Sequence, residues 1–89
     1  MEKQLLILKA LAHSVRLDII YALKDIESRC VCEIQELQTL KEVSQSSLSQ
    51  HLKILRDAQI VSAKKVGGWV HYSIQNLEIF EILEKLKKL

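Results

Sequence analysis

The sequence predicts a mainly α-helical domain carrying one small β-hairpin. Three observations carry that prediction. Apolar residues recur at three- and four-residue spacing over most of the chain. That spacing gives way to alternation only around Gly67 and Gly68. Proline is absent and glycine occurs twice, so little interrupts a helix.

The elements follow in order. Residues 3–11, KQLLILKAL, place Leu5, Leu8 and Leu11 at helical spacing, with Leu6 and Ile7 broadening the stripe. Ser14 offers an N-cap for a second helix, in which Val15, Ile19, Ala22 and Leu23 share a face. The polar break DIESR follows. A third helix is expected from Cys32 through residues 32–43, with Ile34, Leu37 and Leu40 or Lys41 in register. Ser44 caps a fourth, where Leu48, Leu52 and Leu55 form an i, i+4, i+7 stripe. The segment IVSAKKVGGWVHYSI alternates on both sides of its two glycines and reads as a hairpin. Asn76 then caps a last helix, apolar over nearly half its circumference: Leu77, Phe80 and Leu83 on one side, Ile79, Ile82, Leu86 and Leu89 beside them.

Eighty-nine residues make one domain, 1–89. A chain this short buries only about 60–65% of its unfolded surface and gains from a partner subunit. The broad stripes on the terminal helices, 2–12 and 76–89, are the expected homodimer interface. The composition is 48% hydrophobic but only 4% aromatic, so the core must be aliphatic. A net charge of +2 permits nucleic-acid binding without demanding it. The start of the chain lacks the pattern of a signal peptide, and no apolar run reaches membrane-spanning length. The expected location is the cytoplasm, with no membrane partner. Disulfides rarely persist there, so Cys30 and Cys32 are not expected to staple the fold. No glycine-rich phosphate loop and no Ser/His/acid or Cys/His constellation is visible, so the chain is not expected to be an enzyme.

Two short helices joined by a turn and followed by a hairpin make a winged helix-turn-helix, here ααααββα. Burying Leu48, Leu52 and Leu55 leaves Gln45, Ser46, Ser47, Ser49, Gln50 and Lys53 on the opposite face. Short hydroxyl and amide side chains reach base edges and phosphates, and Lys53 and Arg56 supply charge to the DNA backbone. The first residues of such a helix meet the bases, and the Ser/Gln cluster lies there. Lys64 and Lys65, beside a glycine tip, suit flanking phosphates or a minor groove. The competing reading is a solvated polar face, as in a protein–protein adaptor that does not bind DNA.

The stretches LKALAHSVRLDIIYAL, CVCEI, SQSSLSQHLKILRDAQIV and GGWVHYSI, in that order, resemble the ArsR/SmtB family of metal- and thiol-sensing repressors. The likeness runs from about residue 5 to residue 75 and covers most of the chain. It implies a homodimer that binds double-stranded operator DNA at rest and releases it when an inducer binds. It places the recognition-helix motif on Ser44 to Leu55, with His51, Leu52, Lys53, Leu55 and Arg56 matching its end. His13, His51 and His71 stand at positions that are structural or DNA-proximal in the family. The last helix lacks the histidines of zinc-sensing members, and Glu78, Glu81 and Glu84 read as a solvated face.

In the arsenic- and cadmium/lead-sensing branches, Cys-Val-Cys followed by an acid and an aliphatic residue marks the inducer site. Cys30, Val31, Cys32, Glu33 and Ile34 match it. Thiolates select soft, thiophilic ions. On an ideal helix, residues i and i+2 point about 160° apart, so gripping one ion would require the helix start to deform. Arg29 and the helix N-terminus are candidates for lowering the thiol pKa. Gln35 stands where some arsenic sensors carry a third cysteine, and the chain's start has none of the cysteines of the cadmium sensors. The stretch from Cys32 to Ser44 is about three residues longer than in arsenic sensors. Four readings stay open: As(III) or Sb(III) as inducer, Cd(II) or Pb(II), a disulfide or persulfide switch, and buried non-sensing cysteines. No constitutive cofactor is expected.

Overall fold

The computed structural model describes residues Met1–Leu89. Its elements are α1 (Glu2–Leu11), α2 (Ser14–Ala22), β1 (Arg29–Cys30), α3 (Val31–Gln35), α4 (Gln45–Asp57), β2 (Val61–Val66), β3 (Trp69–Ile74) and α5 (Ile79–Lys87). The order is ααβααββα, one strand more than expected. The three strands form an antiparallel sheet in the order β1-β3-β2.

The fold is organised around α4, which packs against α1, α2, α3 and β2. Leu48, Leu52 and Leu55 are fully buried, as their spacing predicts. Ile19, Ile20 and Leu23 from the second helical segment, Ile34, Leu40, Ile60 and Val61 close around them. Ser44 Oγ accepts from the Ser47 N–H at 3.1 Å and caps the helix start. The other end carries no glycine, yet it stops sharply. Gln59 takes a left-handed φ of 61°. Its N–H donates to Arg56 O at 2.9 Å, and the Ile60 N–H donates to Leu55 O at 3.0 Å. This is a Schellman stop, with buried Ile60 and Leu55 supplying its apolar contact. It fixes the angle at which the chain leaves α4 and enters β2.

Several expectations change. His13, not Ser14, caps α2: its backbone is extended and Nδ1 accepts from the Val15 N–H at 3.1 Å. The third helix is five residues long rather than twelve and begins at Val31. Its apolar anchors Ile34, Leu37, Leu40 and Val43 repeat every three residues. Successive turns satisfy that spacing as well as a helix does: Leu37 N–H donates to Ile34 O, Leu40 to Leu37, and Val43 to Leu40. Gln35 Nε2 donates to Val43 O at 2.9 Å and closes this segment on itself. Strand β1 spans two residues, too few for alternation to show. The last helix starts at Ile79, although Asn76 Oδ1 still accepts from the Glu78 N–H at 3.1 Å.

The hairpin is as expected, with Gly67 at φ +64° in the turn between β2 and β3. α5 buries Ile79 and Leu83, and its Phe80 ring meets Tyr21 of α2 at 6.2 Å between centroids. The rest of its stripe, Leu77, Ile82, Leu86 and Leu89, is exposed, as are Leu5, Leu6 and Leu8 of α1.

Leu52→Ala should cost about 2–5 kcal/mol, because it opens a cavity in the middle of the α4 seat. A urea melt checks this: the midpoint should fall with the slope unchanged.

Candidate nucleic-acid interface and cysteine site

The outer face of α4 carries the expected polar set. Gln45, Ser46, Ser49, Gln50, Lys53 and Arg56 are exposed, and Ser47 is half-buried beside its cap. Lys53 Nζ pairs with Asp57 Oδ2 at 2.9 Å, with both side chains more than half exposed. Such a surface pair opens at little cost, so it does not fix Lys53 in place. Lys64 and Lys65 are exposed on β2. The structure thus brings the Ser/Gln cluster, Lys53 and Arg56 onto one helix, with the lysine-bearing wing following after a fixed turn.

His51 is placed differently from the rest. It is half-buried and turned toward the start of α2, where its ring lies 4.4 Å from that of His13. Arg16 Nη1 lies 3.1 Å from His51 Nδ1. A guanidinium can only donate, so Nδ1 accepts and the imidazole is neutral in this contact. Arg16 also donates to Ala10 O at 2.8 Å and to Lys9 O at 3.1 Å. One side chain therefore ties the end of α1 to α4. Reading the sequence for apolar faces passes over Arg16; the available signal is a lone cation inside the apolar run VRLDII.

The cysteines meet. Cys30 ends β1 with an extended backbone, φ −79° and ψ 164°, and serves as the N-cap of α3. Cys32 is inside the helix. The expected 160° divergence presumes that both residues are helical, and it does not apply. The sulfurs are bonded across a sequence separation of two, with the Cα atoms 5.5 Å apart. A ring this small removes little chain entropy, under about 2 kcal/mol. It is a local closure and holds no distant elements together. Cys30 is buried and Cys32 exposed. Glu33 Oε1 accepts from the Cys30 N–H at 2.9 Å, the return half of a capping box.

Two neighbours matter for the chemistry. Arg29 points away from Cys30, as adjacent strand residues do, and its Nε donates to Ala22 O at 3.1 Å. It is therefore not positioned to activate the thiol. Across the sheet, Cys30 pairs in register with His71, whose Nδ1 lies 3.2 Å from Ser28 Oγ. No group of three or more His, Cys, Asp or Glu side chains is clustered to hold a metal ion. The cysteine site borders both α4 and the wing: α3 packs on α4, and β1 is hydrogen-bonded to wing strand β3.

Residues 13–63, from the cap of α2 to the start of the wing, match the family model described as bacterial regulatory protein, arsR family. The chain belongs to this arsR family. Its fold is the winged helix-turn-helix, and its class is DNA-binding transcription regulators. It is 40% identical over 77 residues to the arsenical resistance operon repressor of Bacillus subtilis, covering 86% of this chain and 70% of that protein. It is 38% identical to the Escherichia coli protein of the same name, over 74% of this chain and 54% of that one. The solved structure of HlyU from Vibrio cholerae superposes with a TM-score of 0.78 at 34% identity, covering 98% of this chain and 90% of that one. By sequence that protein is described as a transcriptional activator. No helix is long and apolar enough to cross a membrane.

The histidine contact gives this arsR-family chain a pH dependence. Burial, then the charges of His13 and Arg16, hold the His51 imidazole below its ordinary value. The unfolded chain takes the proton near pH 6.5, while the folded chain resists it. Stability from this contact is therefore complete above about pH 6.5 and is lost as pH falls through the lower folded value. Urea midpoints between pH 7.5 and 5 should fall more steeply in the wild type than in His51→Gln, whose amide oxygen still accepts from Arg16.

Proposed function

We propose that the chain is a homodimeric repressor acting in the cytoplasm. It binds operator DNA through α4 and the wing, and releases it when a trivalent arsenic or antimony species reacts with Cys30 and Cys32. The observation that carries this reading is the meeting of the two sulfurs at the start of α3, between the helix packed on α4 and the strand paired with the wing. The arsenical resistance repressors among its relatives support the choice of inducer and the negative sign of regulation. The exposed leucines of α1, with Ile82 and Leu86 of α5, support the homodimer.

The chemistry balances simply. Reduced Cys30 and Cys32 displace two hydroxides from As(OH)₃, form two As–S bonds and release two waters that carry away the thiol protons. The third valence keeps its hydroxide or takes a small soluble thiol. No protein donor is required at that position, so Gln35 in place of a third cysteine is no obstacle. Cd(II) and Pb(II), which favour further donors, fit this set less well.

Cys30→Ser and Cys32→Ser should each leave operator binding intact and abolish release. The check is a gel shift on duplex DNA from upstream of the gene, titrated in parallel with arsenite, Cd(II), Zn(II) and a disulfide or polysulfide oxidant. Release of both variants by arsenite would place the sensory site elsewhere. Failure to bind DNA in a salt-dependent, sequence-preferring way would favour an adaptor role.

A second reading is favoured by the direct bond between the sulfurs. A disulfide oxidant accepts two electrons from the dithiol, is itself reduced to two thiols, and leaves Cys30–Cys32 closed. The oxidant arm of the same titration separates the two readings.

Base readout and charge attraction separate by mutation. Gln50→Ala should cost about 1–3 kcal/mol on the operator and much less on random DNA. Lys64→Ala should weaken both alike and lower the salt slope by about one.

A further inference from the structure

We infer that a cavity beside Cys30 receives a small thiol of amino-acid form, bearing one carboxylate and one ammonium, whose sulfur completes the arsenic site. The inference rests on the arsenic reading above. Cys30 pairs in register with His71, and His71 with Lys64. Directly paired residues share a face of a sheet, with Cβ atoms about 4.5–5.5 Å apart. Cys30, His71 and Lys64 therefore form one row across the three strands. Two members of that row, His71 and Lys64, line a cavity of about 240 Å³ together with Glu27, Ser28 and Ser73. Drug-sized sites run to roughly 300–1,000 Å³, so this one suits a ligand the size of an amino acid.

The lining suits two opposite charges at once. Lys64 and Glu27 border the same cavity, yet no ion pair joins them; the ion pairs of the chain are Lys53 with Asp57 and Lys87 with Glu84. A bare anion would be repelled by Glu27 and a bare cation by Lys64. A ligand with a carboxylate and an ammonium satisfies both. The neutral groups between them are held in place: Ser28 Oγ lies 3.2 Å from His71 Nδ1, and Ser73 Oγ lies 3.1 Å from Ser62 Oγ. When Ser28 donates to Nδ1, the proton of the neutral imidazole is on Nε2, which can donate to the carboxylate.

The place in the sheet explains why the ligand is a thiol. Cys30 and Cys32 give arsenic two sulfurs, and no cluster of three His, Cys, Asp or Glu side chains supplies a third donor. His71 thus receives the ligand and does not bind the arsenic. Cys30 is buried and Cys32 exposed, so an arsenic atom bridging them stands at the protein edge, open to an incoming sulfur. A thiol seated on Lys64 and His71 exchanges with the remaining As–OH. An As–S bond forms, the As–O bond breaks, and the thiol proton leaves with the hydroxide as water. Arsenic stays trivalent throughout.

Native mass spectrometry of the reduced full chain with arsenite tests this. L-cysteine, N-acetylcysteine and cysteamine are supplied together at equal concentration. All three carry the thiol; the second lacks the ammonium and the third lacks the carboxylate. Adduct ratios are read against those the same thiols give with arsenite free of protein. The adduct of chain, arsenic and cysteine should exceed each of the others roughly 2- to 5-fold, the range of a partly exposed charge contact. Glu27→Gln should erase the preference over N-acetylcysteine and keep the preference over cysteamine. Lys64→Gln should do the reverse. Equal adducts from the three thiols, or preferences unchanged in both variants, overturn the receptor and leave arsenic on Cys30 and Cys32 standing. So does an arsenic adduct that takes up no thiol. A reduced chain that binds no arsenic under any of these conditions overturns both readings.

Discussion

Everything in this molecule depends on how α4 is seated. Leu48, Leu52 and Leu55 are fully buried, and the helix is stopped at both ends by local hydrogen bonds. The seat settles which residues face outward: apart from Ile54 and Asp57, the exposed side chains of that helix are hydroxyl, amide or cation. The Schellman stop settles something further. Because the Ile60 N–H is tied back to Leu55 O, the wing leaves α4 in one direction. Helix and wing thus behave as one shaped surface. A disturbance that tilts α4 moves the wing, and one that pulls the wing acts on the end of α4.

The cysteines sit where such a disturbance can be applied from two sides. Cys30 belongs to the ladder with β3, and Cys32 to the helix that packs on α4. A bond joining their sulfurs, or an arsenic atom bridging them, constrains the corner between those two elements. The direct bond forms with α3 still helical. The Arg16 contact forms a third restraint on α4, independent of the thiols, since it anchors His51 to the end of α1.

The legible parts of the sequence were those with a strong, long period. The α4 stripe, its Ser44 cap, the hairpin and the polar set on the outer helix face all follow from spacing and side-chain chemistry. The segment between α2 and α4 was misread. A three-residue repeat from Ile34 to Val43 looks helical, and nothing local distinguishes a short helix with turns from a long helix. Strand β1 was invisible because its partner, β3, lies some forty residues away in sequence. That omission hid the geometry of the cysteine pair: once Cys30 is strand rather than helix, the two sulfurs no longer diverge. His13 as a cap was missed because serine is the commoner capping residue and stood next to it.

The size of the expected signal constrains how the switch must work. Every 1.4 kcal/mol of coupling changes an affinity about tenfold. Only the part of a cysteine reaction's energy that differs between the DNA-competent and DNA-released shapes can shift the operator equilibrium. The proposed homodimer holds two pairs acting on a single DNA complex, so their contributions add and the change produced by one pair is squared. In the proposed homodimer, pairing of the two chains is then part of the sensing chemistry as well as the DNA geometry. It lets a small local reaction, repeated by symmetry, release a regulator that binds with two wings and two recognition helices.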